Sequence, residues 1–249
     1  MRIIISPAKK MNREDALPWR TEPCFLGRTE EIRQCLREKS FEELRQLWGC
    51  NEKLAELNFE RIQEMELDRN LSPAILCYEG LQYQYMAPKV MSGKALEYLQ
   101  RTLHILSGFY GVLRPFDGIV PYRLEMQAKL SVGGAKDLYA YWGAALCRAL
   151  LADGEREVLN LASKEYSRVV EPWIPEEDVR FVSCIFAEEK AGRRIQKATL
   201  AKMARGEMVR FLAEREAESV EEAKKFTGLG FCFDEAGSDE REYLFLKRA

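Results

Sequence analysis

Between Ser107 and Met126 the chain sets Gly108, Gly111, Gly118, Pro115 and Pro121 into one short stretch with almost no amphipathic period. Glycines open backbone angles that other residues avoid and prolines fix φ, so this segment is expected to be a rigid connector without regular structure. Whatever elements flank it must be joined through it. It also carries Arg114, Asp117, Tyr122, Arg123 and Glu125, polar groups with defined geometry. Loops that hold such groups on a stiff frame are common seats of binding and catalysis. The competing reading is a buried Gly/Pro connector whose charges pair with one another.

Strand and helix signals interleave on both sides of this stretch. Arg2 to Ser6 reads as a buried strand stopped by Pro7, and Ala74 to Tyr78 as a second. Helices are predicted over 29–39, from a capping box at Ser40 and Glu43, over 51–68, and over 93–103 with a stripe at Leu96, Leu99 and Leu103. Beyond the connector come a helix over 136–151, a strand over 157–161 and a short helix capped by Ser163. A hairpin over 179–197 turning at Ala191-Gly192 follows, then a helix over 199–216, another from the capping box Ser219 to Glu222, and a last hairpin over 231–247. With 249 residues, 47% of them hydrophobic, and no linker or repeat, the economical reading is one compact α+β domain over 1–249, a mixed sheet wrapped by helices. The alternation is too irregular to predict a clean doubly wound sheet.

Several function classes are disfavoured by residue content. Seven scattered cysteines without a Cys-x-x-Cys pair suggest neither a disulfide framework nor a zinc site. His104 is the sole histidine and sits in the apolar run Leu103-His104-Ile105-Leu106, where a core role is expected. No metal and no cofactor is expected. The apolar runs are too short for a membrane span or a signal peptide, so a cytoplasmic location is expected. Net charge is −2, yet the charge is segregated: Lys190, Arg193, Arg194, Lys197, Lys202, Arg205 and Arg210 meet only Glu207 among the acids of their segment. A local basic surface is what anion binding requires, although such side chains more often simply solvate an element.

Two further motifs lie at predicted strand ends, the usual place for ligands in α/β proteins. Ser6-Pro7-Ala8-Lys9 follows the first strand, and Asn160-Leu161-Ala162-Ser163 with Glu165-Tyr166 passes from a strand into a capped helix able to receive an anion. On the helix after Lys197, Lys202 and Arg205 share one side, opposite Leu200, Met203, Ala204 and Phe211. Gly206 in mid-helix costs about 1 kcal/mol relative to alanine, which signals a close approach to the backbone by a ligand or by a neighbouring element. The run Leu138 to Trp142 is either a stacking platform for bases or core.

Taken together, Ile5 to Lys9, Leu106 to Pro115, Pro121 to Met126, Lys136 to Tyr139, Trp142-Gly143, Asn160 to Ser163 with Glu165-Tyr166, and Ala204 to Gly206 with Arg210-Phe211 resemble the signature blocks of the YaaA family of bacterial peroxide-stress proteins. The blocks keep the same order along nearly the whole chain. The resemblance implies a cytoplasmic protein of the oxidative stress response to hydrogen peroxide, one that helps keep free iron low (iron homeostasis) and binds DNA through a positively charged cleft. It also implies a helix-hairpin-helix element, best matched here by Leu106 to Leu113, with Gly108 and Gly111 bracketing Phe109-Tyr110.

The DNA- and anion-binding candidates are therefore Ser6, Lys9, Gly108, Gly111, Arg114, Arg123, Lys136, Asn160, Ser163, Tyr166, Lys202 and Arg205. DNA would be held by its backbone rather than read by sequence. The alternative is an enzyme acting on a nucleotide or a damaged nucleobase, with Asp117, Tyr122 and Glu125 as acid/base candidates beside the arginines. A nucleotide-like small molecule is then the partner, and in neither case a membrane.

Overall fold

The computed structural model describes residues 1–190 and 192–248. Its centre is strand β1 (Arg2–Ile5), in which Ile3, Ile4 and Ile5 are fully buried on both faces, as a parallel strand covered on both sides requires. β1 pairs in parallel with β2 (Leu103–Ser107) on one side and, in parallel again, with β4 (Glu157–Leu161) on the other. β4 continues in parallel to β5 (Arg180–Lys190), and β5 to the late strand β8 (Glu242–Arg248). The edges are antiparallel. β3 (Gly111–Leu113) folds back on β2, β6 (Arg193–Ile195) on β5, and β7 (Cys232–Phe233) on β8. The result is an eight-stranded mixed sheet with a parallel core, ordered β7-β8-β5-β4-β1-β2-β3 with β6 off the path. Antiparallel edges explain why strand and helix alternate irregularly in sequence. From β1 the chain crosses first to β2 and later to β4 on the other flank, so the crossing direction reverses between β1 and β4.

Helices α1 (Leu26–Arg37), α2 (Phe41–Trp48) and α3 (Glu52–Glu64) follow the first strand. The capping box at Ser40 and Glu43 is present in full, and Asn51 caps α3 through the Leu54 N–H. Next come α4 (Leu81–Met86) and α5 (Gly93–Thr102), whose buried stripe includes Leu96 and Leu99. The second half contributes α6 (Leu138–Trp142), α7 (Ala145–Leu150), the four-residue α8 (Lys164–Ser167) and the long α9 (Ala198–Glu214), which packs on α4, α5 and β5. Among the described residues no helix is long and apolar enough to cross a membrane.

The structure corrects several sequence expectations. Leu106 to Leu113 is not a helix-hairpin-helix: Leu106 faces Val112 and Ser107 faces Gly111 across the β2–β3 hairpin. The Ser107 hydroxyl accepts the N–H groups of Phe109 and Tyr110, and Gly111 takes φ +78°, so the glycines serve a strand reversal. β2 itself, with all five residues buried, was not predicted as a strand. Ala74 to Cys77 forms a helical turn rather than a strand, with the Ala74 and Ile75 N–H groups donated to the carbonyls of Asp117 and Pro115. A short apolar run is equally legible as buried helix or buried strand. Gly143 at φ +48° splits the 136–151 helix into α6 and α7. Ser219 caps nothing with its side chain, and 220–225 is a 3-10 segment. The turn expected at Ala191-Gly192 lies partly outside the described residues, at Ala191.

Candidate nucleotide-binding cleft

In parallel sheets, ligands settle beyond the carboxyl ends of the strands where the crossing direction reverses. Here that point is the gap between β1 and β4, continued by Ser6 and by Ala162-Ser163. The two strand ends are stapled together. The Ser6 hydroxyl accepts the Ser163 N–H at 2.8 Å and donates to the Ser163 hydroxyl at 3.1 Å, while Asn160 folds back to accept the Ala162 N–H at 2.9 Å. Asn160 Nδ2 is in turn donated to Ser183 on β5. Asn160 is therefore a buried strut behind the site, and Ser163 is committed to Ser6 rather than capping α8. The Ser163 N–H is thereby used within the fold, and α8 is only four residues long.

Above the strand ends opens a cleft of about 350 Å³, walled by the loop after β1, by α4, by the segment 122–125, by Glu165 and Tyr166 of α8, and by Lys202 and Arg205 of α9. Its position is fixed by backbone contact. A Cβ on Gly206 would lie 2.0 Å from the Gln82 carbonyl oxygen and 3.0 Å from the Met86 nitrogen, so only glycine lets α9 sit this close to α4. The close approach signalled by Gly206 is thus a neighbouring helix. From α4, Tyr83 donates to the Ser6 carbonyl at 3.0 Å and Gln82 to the Leu161 carbonyl at 3.5 Å, tying that helix to both strand ends.

Charge in the cleft is divided. Glu125 accepts Lys9 at 2.7 Å and stands 3.8 Å from an Arg123 Nη, whose guanidinium also donates to the Trp48 carbonyl at 3.5 Å. Arg205 has no carboxylate partner and makes no hydrogen bond within the described residues, and its buried Nε is an orphan donor. Burial lowers its pKa, and no acid restores it, yet a guanidinium stays charged in any protein. Lys202, one turn away, is exposed and likewise unpaired. Glu165 is the opposite case. It is an acid pushed above its usual range chiefly by burial, with Oε1 accepting the Gln127 N–H at 3.4 Å and no cation within ion-pair distance among the described residues.

Beneath this wall lies a chain of hydroxyls. Ser107 uses both lone pairs on the Phe109 and Tyr110 N–H groups, so its proton goes to the Tyr122 oxygen at 2.6 Å, and the Tyr122 and Tyr78 hydroxyls share a further hydrogen bond at 2.8 Å. Burial raises the pKa of Tyr122 to about 12 and that of Tyr166 well above the ordinary phenol value, so both stay neutral.

Of the sequence candidates, Ser6, Lys9, Tyr122, Arg123, Glu125, Ser163, Tyr166, Lys202 and Arg205 line this one cleft. The others do not. Gly108 lies behind it against the Leu124 and Glu125 backbone, with its carbonyl taken by the Trp142 indole, and Gly111 packs on Trp142 and Leu146. Asp117 is a buried staple for its own turn, accepting the Thr21 hydroxyl at 2.6 Å and the Arg114 N–H at 2.8 Å, while Arg114 and Lys136 are exposed elsewhere. The basic segment also disperses. Lys190 and Lys197 turn to Glu188, Arg194 to Asp234 and Arg210 to Glu214, leaving Lys202 and Arg205 to the cleft. Leu138 and Trp142 are core rather than a stacking platform. Sequence reasoning missed Gln82, Tyr83 and Glu165 as lining residues. Only Glu165 left a trace, inside a quoted motif.

A larger hollow of about 790 Å³ lies at the opposite, amino-terminal ends of β4, β5 and β8, rimmed mainly by acids such as Glu176, Glu177, Asp239 and Glu240. Its charge is wrong for an anionic ligand.

Comparison with known proteins places the chain in a family. The family model described as peroxide stress protein YaaA matches residues 1–237. A UPF0246 protein of Lachnoclostridium phytofermentans is 52% identical, the match covering 99% of this chain and 96% of the relative. Others, from Agathobacter rectalis and Lactiplantibacillus plantarum, are 46% and 48% identical over 100% and 99% of this chain and 99% of each relative.

Proposed function

The chain belongs to the YaaA family of peroxide stress proteins, and we propose that it serves that role by binding DNA phosphate at the cleft between β1 and β4. One observation carries the reading: Arg205 and Lys202 face a ligand-sized cleft at the sheet's reversal point with no carboxylate to neutralise them. A half-buried guanidinium without a counter-ion is costly unless an anion completes it. Ser163 and Tyr166, whose hydroxyls donate to no group of the protein among the described residues, add polar contacts for sugar or phosphate, which position a nucleic acid without reading its sequence.

Cationic side chains on DNA release the cations condensed on its phosphates. Iron(II) displaced from those phosphates no longer oxidises the strand when peroxide arrives, a route that asks for no iron ligand from the protein. A second reading, an enzyme on a nucleotide or damaged base, is supported by the carboxylates of Glu125 and Glu165 sharing the cleft.

The test is fluorescence anisotropy with a short duplex at two salt concentrations. Lys202→Gln/Arg205→Gln should weaken binding and flatten the log–log salt slope by about 1 to 2, whereas Arg114→Ala, outside the cleft, should leave both unchanged. Full affinity in the double variant, or its loss in Arg114→Ala, would overturn the placement.

A further inference from the structure

The cleft holds unpaired groups of both signs, and that pairing specifies more than an anion. Arg205 and Lys202 enter from α9, while Glu165 enters from α8 and is held in place by two contacts. Its own carbonyl accepts the Tyr139 hydroxyl at 2.9 Å, and its carboxylate accepts the Gln127 N–H. A carboxylate can accept about four hydrogen bonds, so acceptor capacity remains. The other acids of the cleft differ, because Glu125 is engaged by Lys9 and Arg123, and Glu79 by Lys10 and Asn12. A ligand complementary to the walls must therefore bring an anion to α9 and an N–H donor to Glu165. At about 350 Å³ the cleft falls at the small end of ligand sites, roughly 300–1,000 Å³, and has room for one nucleotide unit, any remaining strand or duplex lying outside it.

We propose that the cleft receives a single nucleotide unit, its phosphate on Arg205 and Lys202 and its base on Glu165, and that Glu165 is a specificity-determining residue selecting bases that carry an amine. Adenine, cytosine and guanine present an exocyclic amine to a carboxylate. Thymine offers one N–H flanked by two carbonyl oxygens, whose lone pairs repel it. This inference rests on the phosphate-binding reading above and adds the base to it. The nucleotide is either a free monophosphate or an unpaired residue in a DNA strand, since both present the same chemistry.

Isothermal titration of the purified full chain with dAMP, dCMP, dGMP and dTMP, and with inorganic phosphate as reference, tests it. The three amine-bearing nucleotides should bind more tightly than phosphate, and dTMP about tenfold more weakly than they do. Glu165→Gln should reduce that ratio below about threefold, and Arg205→Gln should weaken all four alike. The wild-type ratio decides by itself should a variant fail to fold. Equal affinity for all four nucleotides, lost in Arg205→Gln, overturns the role of Glu165 and keeps the phosphate site. Absence of mononucleotide binding beside salt-sensitive duplex binding overturns the single-nucleotide cleft alone. Absence of both overturns this inference and the phosphate reading together. A short single strand carrying one adenine or one thymine, titrated in parallel, separates the strand from the free nucleotide as the source.

Discussion

Gly206→Ala separates two physical expectations of opposite sign. By helix propensity alone, replacing an interior glycine of α9 with alanine should stabilise the protein by about 1 kcal/mol. The structure says otherwise. The new Cβ would sit 2.0 Å from the Gln82 oxygen, 2.9 Å from the Gln82 carbonyl carbon and 3.0 Å from the Met86 nitrogen. Non-bonded heavy atoms rest at about 3.5 Å, so α9 and α4 must part by more than roughly 1 Å. All three obstacles are backbone, and no flexible side chain can yield. Overpacking of a core costs about 1–3 kcal/mol, occasionally more. The upper end applies here, leaving a net loss of about 2 kcal/mol after the propensity gain. At this chain length that lowers Tm by roughly 4–8 °C. Urea denaturation followed by circular dichroism gives the free energy, and a thermal scan gives Tm. The same separation would carry Lys202 and Arg205 away from Ser6 and Ser163, so DNA affinity should fall in the fraction that remains folded. A Gly206→Ala protein as stable as wild type, or more so, would refute the claim that backbone contact between α9 and α4 sets the cleft.

Other predictions follow from the buried polar groups. Tyr122→Phe removes the middle of the Ser107–Tyr122–Tyr78 chain and leaves the Ser107 proton without its acceptor, a loss of about 1–3 kcal/mol measurable by urea denaturation. A shift under about 0.5 kcal/mol would mean that the chain is not closed. His104 on β2 is pulled down to about 4, chiefly by burial and further by the charge of Arg2. As the sole histidine it gives one ring signal by proton NMR, which should titrate near pH 4 rather than near the ordinary value of 6.5. The folded state resists a proton that the unfolded chain accepts, so its contribution to stability is fully present above pH 6.5 and is lost as pH falls from there toward 4. The loss is about 3 kcal/mol in all, and a midpoint near 6.5 would show the ring to be solvated.

How much of this could be read from sequence depends on whether the signal is local. The isoleucine run of β1, the capping box at Ser40 and the stripe of α5 are set by neighbours along the chain, and they appear as read. The failures have a common cause. Leu103 to Ser107 and Ala74 to Cys77 are short and wholly buried, so their apolar pattern carries no period, and only pairing to β1 or docking under Asp117 decides their form. Ser163 looked like a cap because serine after a strand usually is one. What commits it elsewhere is Ser6, which lies 157 residues away.

Charge shows the same limit in the site itself. Counting signs from Lys190 to Arg210 suggests a continuous basic surface, but partners distant in sequence, such as Asp234 for Arg194, cancel most of it. What survives at the cleft is small: one guanidinium and one amine on successive turns of α9, held against the strand ends because residue 206 has no side chain, while Arg193 lies away on β6. A field that depends on two side chains is more vulnerable than one spread over seven. Removing Arg205 therefore leaves a single unpaired cation on the α9 wall of the cleft, while removing Arg193 from exposed β6 leaves that wall as it is. On this reasoning the salt dependence of binding reports the packing of α9 on α4 as directly as it reports charge.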